Sequence, residues 1–347
     1  MRFIHIADVH LGAVPDSGCP WSASREKEIW ETFKKVIFLA GKEKIDLLLI
    51  AGDLFHRQPL VREVREVNYL FSTIPEVQVV WIAGNHDYMK PDSAYRKIQW
   101  AENVHGFFSQ QPEEIYLPQI KTWVYGFSYE HREIRENLYH SIHPNGKPGH
   151  HILLAHGGDE KHIPLKKENL EAFDYAAVGH IHKHEILLPN RAAYAGALEP
   201  LDRTHIGTHG FIYGQIEKGV TRIRFVSAAC RSYLQLEMDV KPSTTQLELE
   251  QMVKDEIAAK GENHLYLIKI KGYRNPDMDF DMQAIYQLGN IVEMEDASLP
   301  FYDLEKLKKQ HEGNLIGEYI QCFEGKDSIL DKKALYYGLQ ALMEVEL

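Results

Sequence analysis

Five short motifs rich in histidine, aspartate and glycine follow one another in the first half of this sequence. They are Asp8-Val9-His10, Gly52-Asp53, Gly84-Asn85-His86-Asp87, His156-Gly157 and Gly179-His180-Ile181-His182. Carboxylate and amide oxygens combined with imidazole nitrogens are donors that suit Mn²⁺, Fe²⁺ or Zn²⁺. No cysteine takes part, so the set differs from that of a structural zinc site. The residue types therefore predict a metal-dependent catalytic site.

The spacing of these residues indicates two metal ions. Asp8 lies two positions from His10, and His180 lies two positions from His182. On an extended strand end, side chains two positions apart emerge on the same side, so each pair is expected to aim at one place. A carboxylate between the pairs, Asp53, could then bridge two ions. Two cations about 4 Å apart activate a water and clamp a phosphoryl group for in-line attack.

Each motif taken alone has an ordinary explanation. An Asp-x-His is commonly a surface pair, a Gly-Asp is a turn signal, and a Gly-His-x-His can close a strand with unremarkable histidines. All five occur in order, however, and each stands behind an apolar run. Because this combination is far less expected by chance than any one motif, the functional interpretation is favoured.

The apolar runs before the motifs are typical of β-strands. They are Phe3–Ala7, Leu47–Ala51, Val77–Ala83, Ile152–Ala155 and Tyr175–Val178. The ends of strands are where an α/β sheet places its ligand site, so the five motifs are expected to converge on one pocket.

Other parts of the first 230 residues complete an α/β pattern. Arg25–Lys42 predicts a helix, because its apolar residues fall on one face. Further strands are predicted at Thr122–Phe127, Ala192–Ala195, Gly210–Ile216 and Thr221–Val226. Early strands alternate with helices and later strands follow one another through turns. The pattern therefore predicts a layered α/β domain with a mixed sheet or a sandwich.

A second unit is predicted to begin near Ser232. Ser243 with Gln246, or Thr245 with Glu248, forms a capping-box pattern for a helix through Lys260. A strand at His264–Tyr273, a helix at Asp279–Leu288 and a strand at Asn290–Asp296 are predicted next, which gives a small β-α-β-α-β arrangement. Two amphipathic helical stretches should follow Pro300, one over 304–323 and one over 330–342. Their leucine stripes could serve equally as core or as a partner surface.

Charge is distributed unevenly along the chain. The net charge is −11, yet residues 1–235 carry 28 acidic and 27 basic residues, whereas residues 236–347 carry 22 acidic and 12 basic residues. Phosphate backbones are bound through Lys and Arg, so the last third is a poor candidate for a main DNA surface. Six basic side chains of the first part could contact DNA phosphates or could equally be solvated charges: Arg57, His131, Arg132, Arg135, Arg191 and Arg203.

The sequence also predicts a cytoplasmic protein with no membrane attachment. No apolar run approaches the roughly 20 residues of a membrane span. A strand-like run begins at Phe3, which leaves no visible leader. Cys19, Cys230 and Cys322 lie far apart and are typical of reduced thiols.

The ordered motifs resemble the calcineurin-like metallophosphoesterase superfamily over about residues 1–230. Three details resemble its DNA-repair nuclease branch, which includes the SbcD-type exonuclease subunit and its archaeal and eukaryotic counterparts. They are His10-Leu11-Gly12, Gly52-Asp53-Leu54-Phe55-His56 and Gly196-Ala197-Leu198-Glu199-Pro200. That branch more often has serine at the position of Ala197.

The resemblance implies a role for each site residue. Asp8, His10 and His182 would hold one divalent metal ion. Asn85, His156 and His180 would hold a second ion, and Asp53 would bridge the two. His86 matches the catalytic histidine that contacts the phosphate and protonates the leaving oxygen. His56 would orient His86 or the substrate.

The resemblance also implies a fold and a function. The fold would be a layered metallophosphoesterase sandwich of mixed sheets flanked by helices at 1–231, a small α/β capping domain at 232–299 and amphipathic helices at 300–347. The function would be that of a two-metal-dependent DNA exonuclease in DNA repair, with Mn²⁺ as its metal and Fe²⁺ or Zn²⁺ as alternatives. It would act with an SMC-like ATPase of the SbcC type and could form a homodimer.

Two alternatives remain open at this point. One is a small-molecule phosphodiesterase or phosphatase of the same superfamily, and the acidic last third argues for it, since a solitary DNA enzyme is usually more basic. A protein serine/threonine phosphatase is disfavoured, because that group has Asp-Arg-Gly where this chain has Leu54-Phe55-His56 after Gly52-Asp53. The other is a non-catalytic scaffold, against which the intact ligand set argues.

Overall fold

A computed structural model describes residues 1–345 of the chain. The chain forms two compact units, Met1–Ser232 and a second that begins at Tyr233. The terminal helices were predicted to extend to residue 347, so the last two residues of that range lie outside the described part of the chain. Within residues 1–345, no helix is both long enough and apolar enough to cross a membrane.

The first unit contains two six-stranded sheets. Its strands are β1 (Arg2–Ile6), β2 (Leu47–Ala51), β3 (Gln78–Ile82), β4 (Val104–Gly106), β5 (Glu113–Leu117), β6 (Thr122–Gly126), β7 (His150–His156), β8 (Tyr175–Gly179), β9 (Glu185–Leu188), β10 (Ala192–Tyr194), β11 (Gly210–Glu217) and β12 (Val220–Ser227). Its helices are α1 (Ser22–Lys42), α2 (Val61–Ser72) and α3 (Lys167–Glu171), with 3₁₀ turns at Ala94–Arg96, Pro118–Ile120 and Leu138–Ser141.

The two sheets form a sandwich. The first has the order β12-β11-β1-β2-β3-β4, and the second has the order β5-β6-β7-β8-β10-β9. The strands β1 to β4 run parallel to one another, as do β6, β7, β8 and β10, while the remaining strands pair antiparallel. A buried apolar layer that includes Leu49, Val80, Leu154 and Ala177 separates the sheets. The predicted layered fold of mixed sheets flanked by helices is therefore confirmed.

The central strands and first helix match their sequence patterns for a physical reason. Every residue of β2 is buried, because both faces of this strand are covered. Helix α1 packs Ile29, Phe33 and Val36 into the core beside Phe71 of α2. Spacings of three and four residues place such side chains on one helical face, which is why periodicity located α1 to within three residues.

The second unit starts with a parallel sheet. Its elements are β13 (Tyr233–Val240), α4 (Gln246–Lys260), β14 (Leu265–Arg274), α5 (Met282–Tyr286), β15 (Ile291–Asp296) and β16 (Leu299–Pro300). Of the two predicted capping boxes the second is present, because the Thr245 hydroxyl accepts the N–H of Glu248 and the Glu248 carboxylate accepts the N–H of Thr245. The β-α-β-α-β order is confirmed, although α5 is shorter than the helix predicted there.

Three helices close the described chain: α6 (Leu304–Gln310), α7 (Leu315–Cys322) and α8 (Ile329–Val345). The first predicted stretch, 304–323, is wrong as one helix. Gly313 adopts a left-handed backbone with φ +83°, and the Asn314 side chain then accepts the N–H groups of Ile316 and Gly317 to begin α7. The sequence contained both signals, which the continuous leucine pattern concealed.

Candidate active site

The nine residues predicted to act in catalysis or metal binding come together at one end of the first unit. They follow the carboxyl ends of β1, β2, β3, β7 and β8, apart from His156, which is the last residue of β7. Asp8, Asp53 and His156 are almost completely buried, with at most 1% of their surface exposed. Since the five strands belong to two stacked sheets, the site is assembled from both layers.

The first predicted ligand group is compact. Donor atoms of Asp8, His10 and His182 all lie within 4.8 Å of one another. The Nε2 atoms of His10 and His182 are 3.1 Å apart. Two donors bound at right angles to one ion, each about 2.0–2.1 Å from it, lie about 3 Å apart. The spacing of the two imidazoles therefore fits ligands of a shared ion.

The second predicted group has a similar spacing. The Asn85 Oδ1 lies 2.9 Å from His156 Nε2 and 3.2 Å from His180 Nδ1. Asp53 lies between the two groups, because its Oδ2 is 3.5 Å from His156 Nε2 and 3.8 Å from His10 Nε2. This position is the one that a bridging carboxylate needs.

The backbone around the ligands departs from the geometry that we expected. Strand β1 ends at Ile6, and Asp8 and His10 have φ values of +49° and +52° rather than extended ones. Asp53 and His180 also have positive φ, at +49° and +100°. Side-chain alternation along a strand was therefore the wrong reason for their convergence. Left-handed residues, each costing about 1–3 kcal/mol, turn the side chains toward the site.

Two motif glycines permit close approach of the ligands. A Cβ on Gly52 would lie 2.3 Å from His156 Nδ1, and a Cβ on Gly84 would lie 2.3 Å from Asp53 Oδ1. Both distances are too short for real atoms. Glycine at these positions allows the strand ends to bring Asp53 and His156 together.

Asp87 holds the shape of the site without contacting a histidine. Its carboxylate accepts the backbone N–H of Gly84 at 2.8 Å, the backbone N–H of Phe55 at 3.1 Å and the Tyr95 hydroxyl at 2.6 Å. Gly84 and Phe55 belong to two different motifs. Asp87 therefore ties together the loops that carry Asp53 and Asn85.

Buried negative charge in the site calls for cations. Burial raises the pKa of Asp8 to about 7. Burial also acts to raise the pKa of Asp53, but the neighbouring His156 outweighs it and holds that pKa below its usual value. For His156, burial lowers the pKa, yet Asp53 and Asp8 raise it to about 9. No Lys or Arg within residues 1–345 forms an ion pair with either aspartate. Two divalent cations fit this arrangement, because they would take the place of the protons that His156 and Asp8 hold, and buried carboxylates without a partner are costly.

The imidazoles offer free lone pairs. Burial lowers the pKa of His180 to about 4 and that of His182 to about 3, and it holds that of His10 well below its ordinary value. Their rings are therefore neutral near pH 7, as metal binding requires. His156 donates its Nδ1–H to the Ala51 carbonyl at 2.8 Å, which leaves Nε2 directed at Asn85 and Asp53.

The two predicted catalytic histidines lie above the ligands. His86 donates its Nδ1–H to the main-chain carbonyl of His56 at 2.9 Å, so its Nε2 stays available. The His56 ring stacks on the His86 ring at 5.2 Å. His56 thus contacts His86 through both its main-chain carbonyl and its ring. One nitrogen from each of His10, His56 and His86 also falls within 4.8 Å, so geometry alone would allow His86 to act as a ligand.

A cavity of about 660 Å³ opens over the cluster. Its lining includes Asp53, Asn85 and His86 on the side of the predicted ligands. Three cationic side chains also line it, Arg132, Lys161 and Lys183, and none of them has a side-chain hydrogen bond or ion pair within the described part of the chain. Such a cavity can accept an anion larger than one phosphate group.

The sequence interpretation missed several residues of this cavity. Asp159, which contacts His180, and the two lysines were not singled out, and Arg132 had been left undecided. His205 was likewise not singled out, although it lines the cavity and its ring lies 4.9 Å from that of His182. The sequence signal for these residues was their position close to predicted metal ligands, since Asp159 follows His156 by three residues and Lys183 follows His182 directly.

Two other arginines that had been left undecided have protein partners instead. Arg57 pairs with Glu63 at 2.7 Å, and Arg191 donates to the main-chain carbonyl of Glu171 at 2.9 Å.

Comparison with known proteins agrees with this geometry. Residues 1–184 match the family model described as calcineurin-like phosphoesterase. The chain is 29% identical to the uncharacterized metallophosphoesterase YhaO of Bacillus subtilis, over 74% of this chain and 67% of that protein.

Two archaeal proteins named DNA double-strand break repair protein Mre11 are also similar. The protein from Methanopyrus kandleri is 26% identical over 63% of this chain and 55% of its own length. The protein from Methanocaldococcus jannaschii is 28% identical over 70% of this chain and 71% of its own length. The match to the Methanopyrus protein thus spans little more than half of that relative. With the family model matched over more than half of its residues and a site of the expected composition, this chain belongs to the calcineurin-like phosphoesterase family.

Proposed function

We propose that this protein is a two-metal-dependent DNA nuclease, an exonuclease of DNA repair, with Mn²⁺ as its metal and Fe²⁺ or Zn²⁺ as alternatives. The observation that carries the proposal is the position of Asp53, whose carboxylate lies between two donor groups at the base of an open cavity. Oxygen and imidazole donors favour these ions over Ca²⁺ or Mg²⁺. The Mre11 relatives, whose name places them in DNA double-strand break repair, support DNA as the substrate.

The chain's own residues divide the work of phosphodiester hydrolysis. The bound metals would supply an activated water and neutralise charge on the phosphate. Asp8, His10 and His182 would hold one ion, and Asn85, His156 and His180 the other, with Asp53 shared. His86 would give a proton from Nε2 to the leaving oxygen, since its Nδ1–H is engaged by the His56 carbonyl.

Cations around the cavity favour a polymeric substrate over a small one. Arg132, Lys161 and Lys183 line the cavity without an ion-pair partner in residues 1–345. A single phosphoryl group at the metals would leave these charges unused. Phosphates on either side of a scissile bond in DNA would engage them, as Lys and Arg do in DNA complexes generally.

The test compares DNA with a small diester. End-labelled linear duplex and single-stranded DNA are incubated with Mn²⁺ beside bis-p-nitrophenyl phosphate, using wild type, Asp53→Asn and the exposed control Asp92→Asn. We expect DNA shortening in the wild type and the control and none in Asp53→Asn. Turnover of the small diester alone would favour the alternative, a small-molecule phosphodiesterase of the same family.

We further propose that α8 binds the SMC-like ATPase of the SbcC type. One side of the leucine stripe is core, since Leu335 and Leu339 are buried. The helix also exposes Ile329 and Leu330, at 79% and 76% of their surface, and Tyr337 at 49%. Exposed apolar side chains grouped on one helix are typical of a partner surface.

The substitution Leu330→Arg should abolish co-purification with the ATPase, while hydrolysis of bis-p-nitrophenyl phosphate persists. Unchanged co-purification would exclude this surface.

The remaining predictions stand as proposals. The capping role of residues 232–299, the partner-binding role of residues 300–347 and a cytoplasmic location follow from the sequence analysis. Homodimer formation is supported by two large side chains on the helices of the first unit, Phe38 and Tyr69, which are 71% and 69% exposed. Sedimentation of the purified protein would test the dimer.

A further inference from the structure

A second cluster of metal-type residues lies in the cavity wall beside the predicted ligands. It consists of Asp159, His162 and His180, whose donor atoms fall within 4.8 Å of one another. His180 belongs to the predicted ligand set, but Asp159 and His162 have no assigned role. The Asp159 Oδ2 lies 2.8 Å from His180 Nε2, and both of its oxygens lie 2.9 Å from His162 Nδ1.

The Asp159 carboxylate is held in place although nearly half of its side chain is exposed. Its Oδ1 accepts the backbone N–H of Lys161 at 2.8 Å and that of His162 at 2.9 Å. The loop itself is fixed to a neighbouring segment, because Ile134 donates to the Lys161 carbonyl and Ile163 donates to the Ile134 carbonyl. The carboxylate therefore presents a defined acceptor to His180.

The two imidazoles of the second ligand group are oriented in different ways. His156 donates its outer N–H to a main-chain carbonyl, that of Ala51. Within residues 1–345, no main-chain carbonyl accepts a ring N–H of His180, and its outer nitrogen, Nε2, contacts the Asp159 side chain instead. Its inner nitrogen, Nδ1, lies 3.2 Å from Asn85 Oδ1, on the side of the predicted ion. Because a neutral imidazole has one N–H, a proton held on Nε2 leaves the lone pair on Nδ1.

We propose that Asp159 is a positioning residue for the second metal site. It fixes His180 in the tautomer and rotation that direct Nδ1 at the ion, and it increases the donor strength of the ring. This inference rests on the metal assignment made under the proposed function. It adds a residue that acts on one of the two ions, since the side-chain partners of Asp159 in the described part of the chain are His162 and His180 and include no member of the first ligand group.

The experiment measures metal binding rather than turnover. Mn²⁺ is titrated calorimetrically into metal-free wild type, Asp159→Ala and Asp159→Asn, and the spin coupling of the Mn²⁺ pair is followed by electron paramagnetic resonance. Glu160→Ala is the matched control, since it removes an equal charge from the next, exposed residue of the same loop. Thermal melting in EDTA verifies that every variant is folded.

We expect Asp159→Ala to weaken the second Mn²⁺ by about 10–100-fold, with the first ion within about threefold of wild type. Asp159→Asn should recover part of the loss, because its amide oxygen can still accept the His180 N–H. Equal weakening in Glu160→Ala would mean that the effect is loop charge alone and would overturn the proposal.

Two further outcomes separate this inference from the proposed function. Two ions in wild type with unchanged affinities in Asp159→Ala would overturn the role of Asp159 and leave the two-metal site intact. Fewer than two ions in wild type would overturn both. Three ions in wild type, with one lost in Asp159→Ala and also in His162→Ala, would make the cluster a separate metal site and likewise overturn the positioning role.

Discussion

Replacement of His86 by glutamine should separate proton donation from metal binding. In the structure, the backbone N–H of His86 is held by Asp53 Oδ1 at 2.9 Å, and the ring Nδ1–H is held by the His56 carbonyl. Glutamine keeps the first bond, because residue 86 contributes only its backbone N–H to it. It can reach toward the second with its amide but offers no group that gives up a proton near neutral pH. The loop and the ligands should therefore persist in His86→Gln.

The factor by which His86→Gln lowers the rate of hydrolysis should depend on the leaving group of the substrate. General acid catalysis contributes about 10²–10⁴-fold, which corresponds to about 2.7–5.5 kcal/mol in the activation barrier. In DNA the leaving group is a sugar alkoxide, which needs a proton. The rate of DNA hydrolysis should therefore fall by this full factor. The p-nitrophenolate anion leaves without protonation. Turnover of bis-p-nitrophenyl phosphate should consequently fall by less than about tenfold.

The assay requires both substrates and a metal count on the same preparations. Single-turnover rates on end-labelled DNA and on the activated diester are measured with Mn²⁺ for wild type and His86→Gln, and bound metal is determined by elemental analysis. His56→Ala is an informative companion, because it removes the stacked ring but retains the carbonyl that orients His86. His56→Ala should lower the rate of DNA hydrolysis by a smaller factor than His86→Gln does.

Two results would refute this reasoning. Equal loss on both substrates would show that His86 stabilises the phosphate rather than donating a proton. Loss of bound metal in His86→Gln would instead identify His86 as a ligand, in keeping with the proximity of its nitrogen to those of His10 and His56.

Two more predictions concern stability. In metal-free protein the pKa of His156 is raised to about 9 and that of Asp8 to about 7, so the native stability that each group contributes is present at low pH and lost as pH rises through those values. The histidines whose pKa burial lowers, His10, His180 and His182, act in the opposite direction up to about pH 7, since the unfolded chain then binds more protons at these positions. Melting temperature in EDTA should therefore fall above that range, between about pH 8 and pH 9.5, while the gain on adding Mn²⁺ grows, since binding releases protons. A metal-free melting temperature that rises over this interval would contradict the charge assignment. Glu199→Ala should cost about 3–5 kcal/mol in urea unfolding, because it leaves the fully buried Arg25, 3.6 Å away, without this partner. The exposed pair of Lys27 and Glu31 provides the control, because Glu31→Ala should lower the free energy of unfolding by no more than about 1 kcal/mol. A similarly small loss in Glu199→Ala would show that Glu28 alone is a sufficient partner for Arg25.

Strands and helices with a strong apolar pattern could be predicted from the sequence. The buried run of β2 and the one-sided face of α1 were located correctly, because burial imposes their periodicity directly on the residue types. The break between α6 and α7 was not predicted. Gly313 and Asn314 act through local backbone and hydrogen-bond geometry, which a count of leucines does not detect.

The sequence predicted which residues the candidate site contains, but it did not predict the backbone geometry that brings them together. Asp8 and His10 meet their partners because their backbones are left-handed, and nothing in their residue types requires that conformation. His56 was predicted to orient His86, yet the sequence could not show that its main-chain carbonyl would do so. The roles in catalysis and metal binding remain predictions that the assays above address.

The sequence by itself determined the family, the order of the main elements and the set of residues that could bind metal. These depend on residue type and spacing, which are local properties of the chain. Only the tertiary structure decided which donors lie close enough to share an ion, which nitrogen of each histidine is free, and that Asp159 and three cationic side chains border the cavity. Those relations join residues from loops far apart in sequence, and they exist only because two sheets stack with the ends of their parallel strands at one edge.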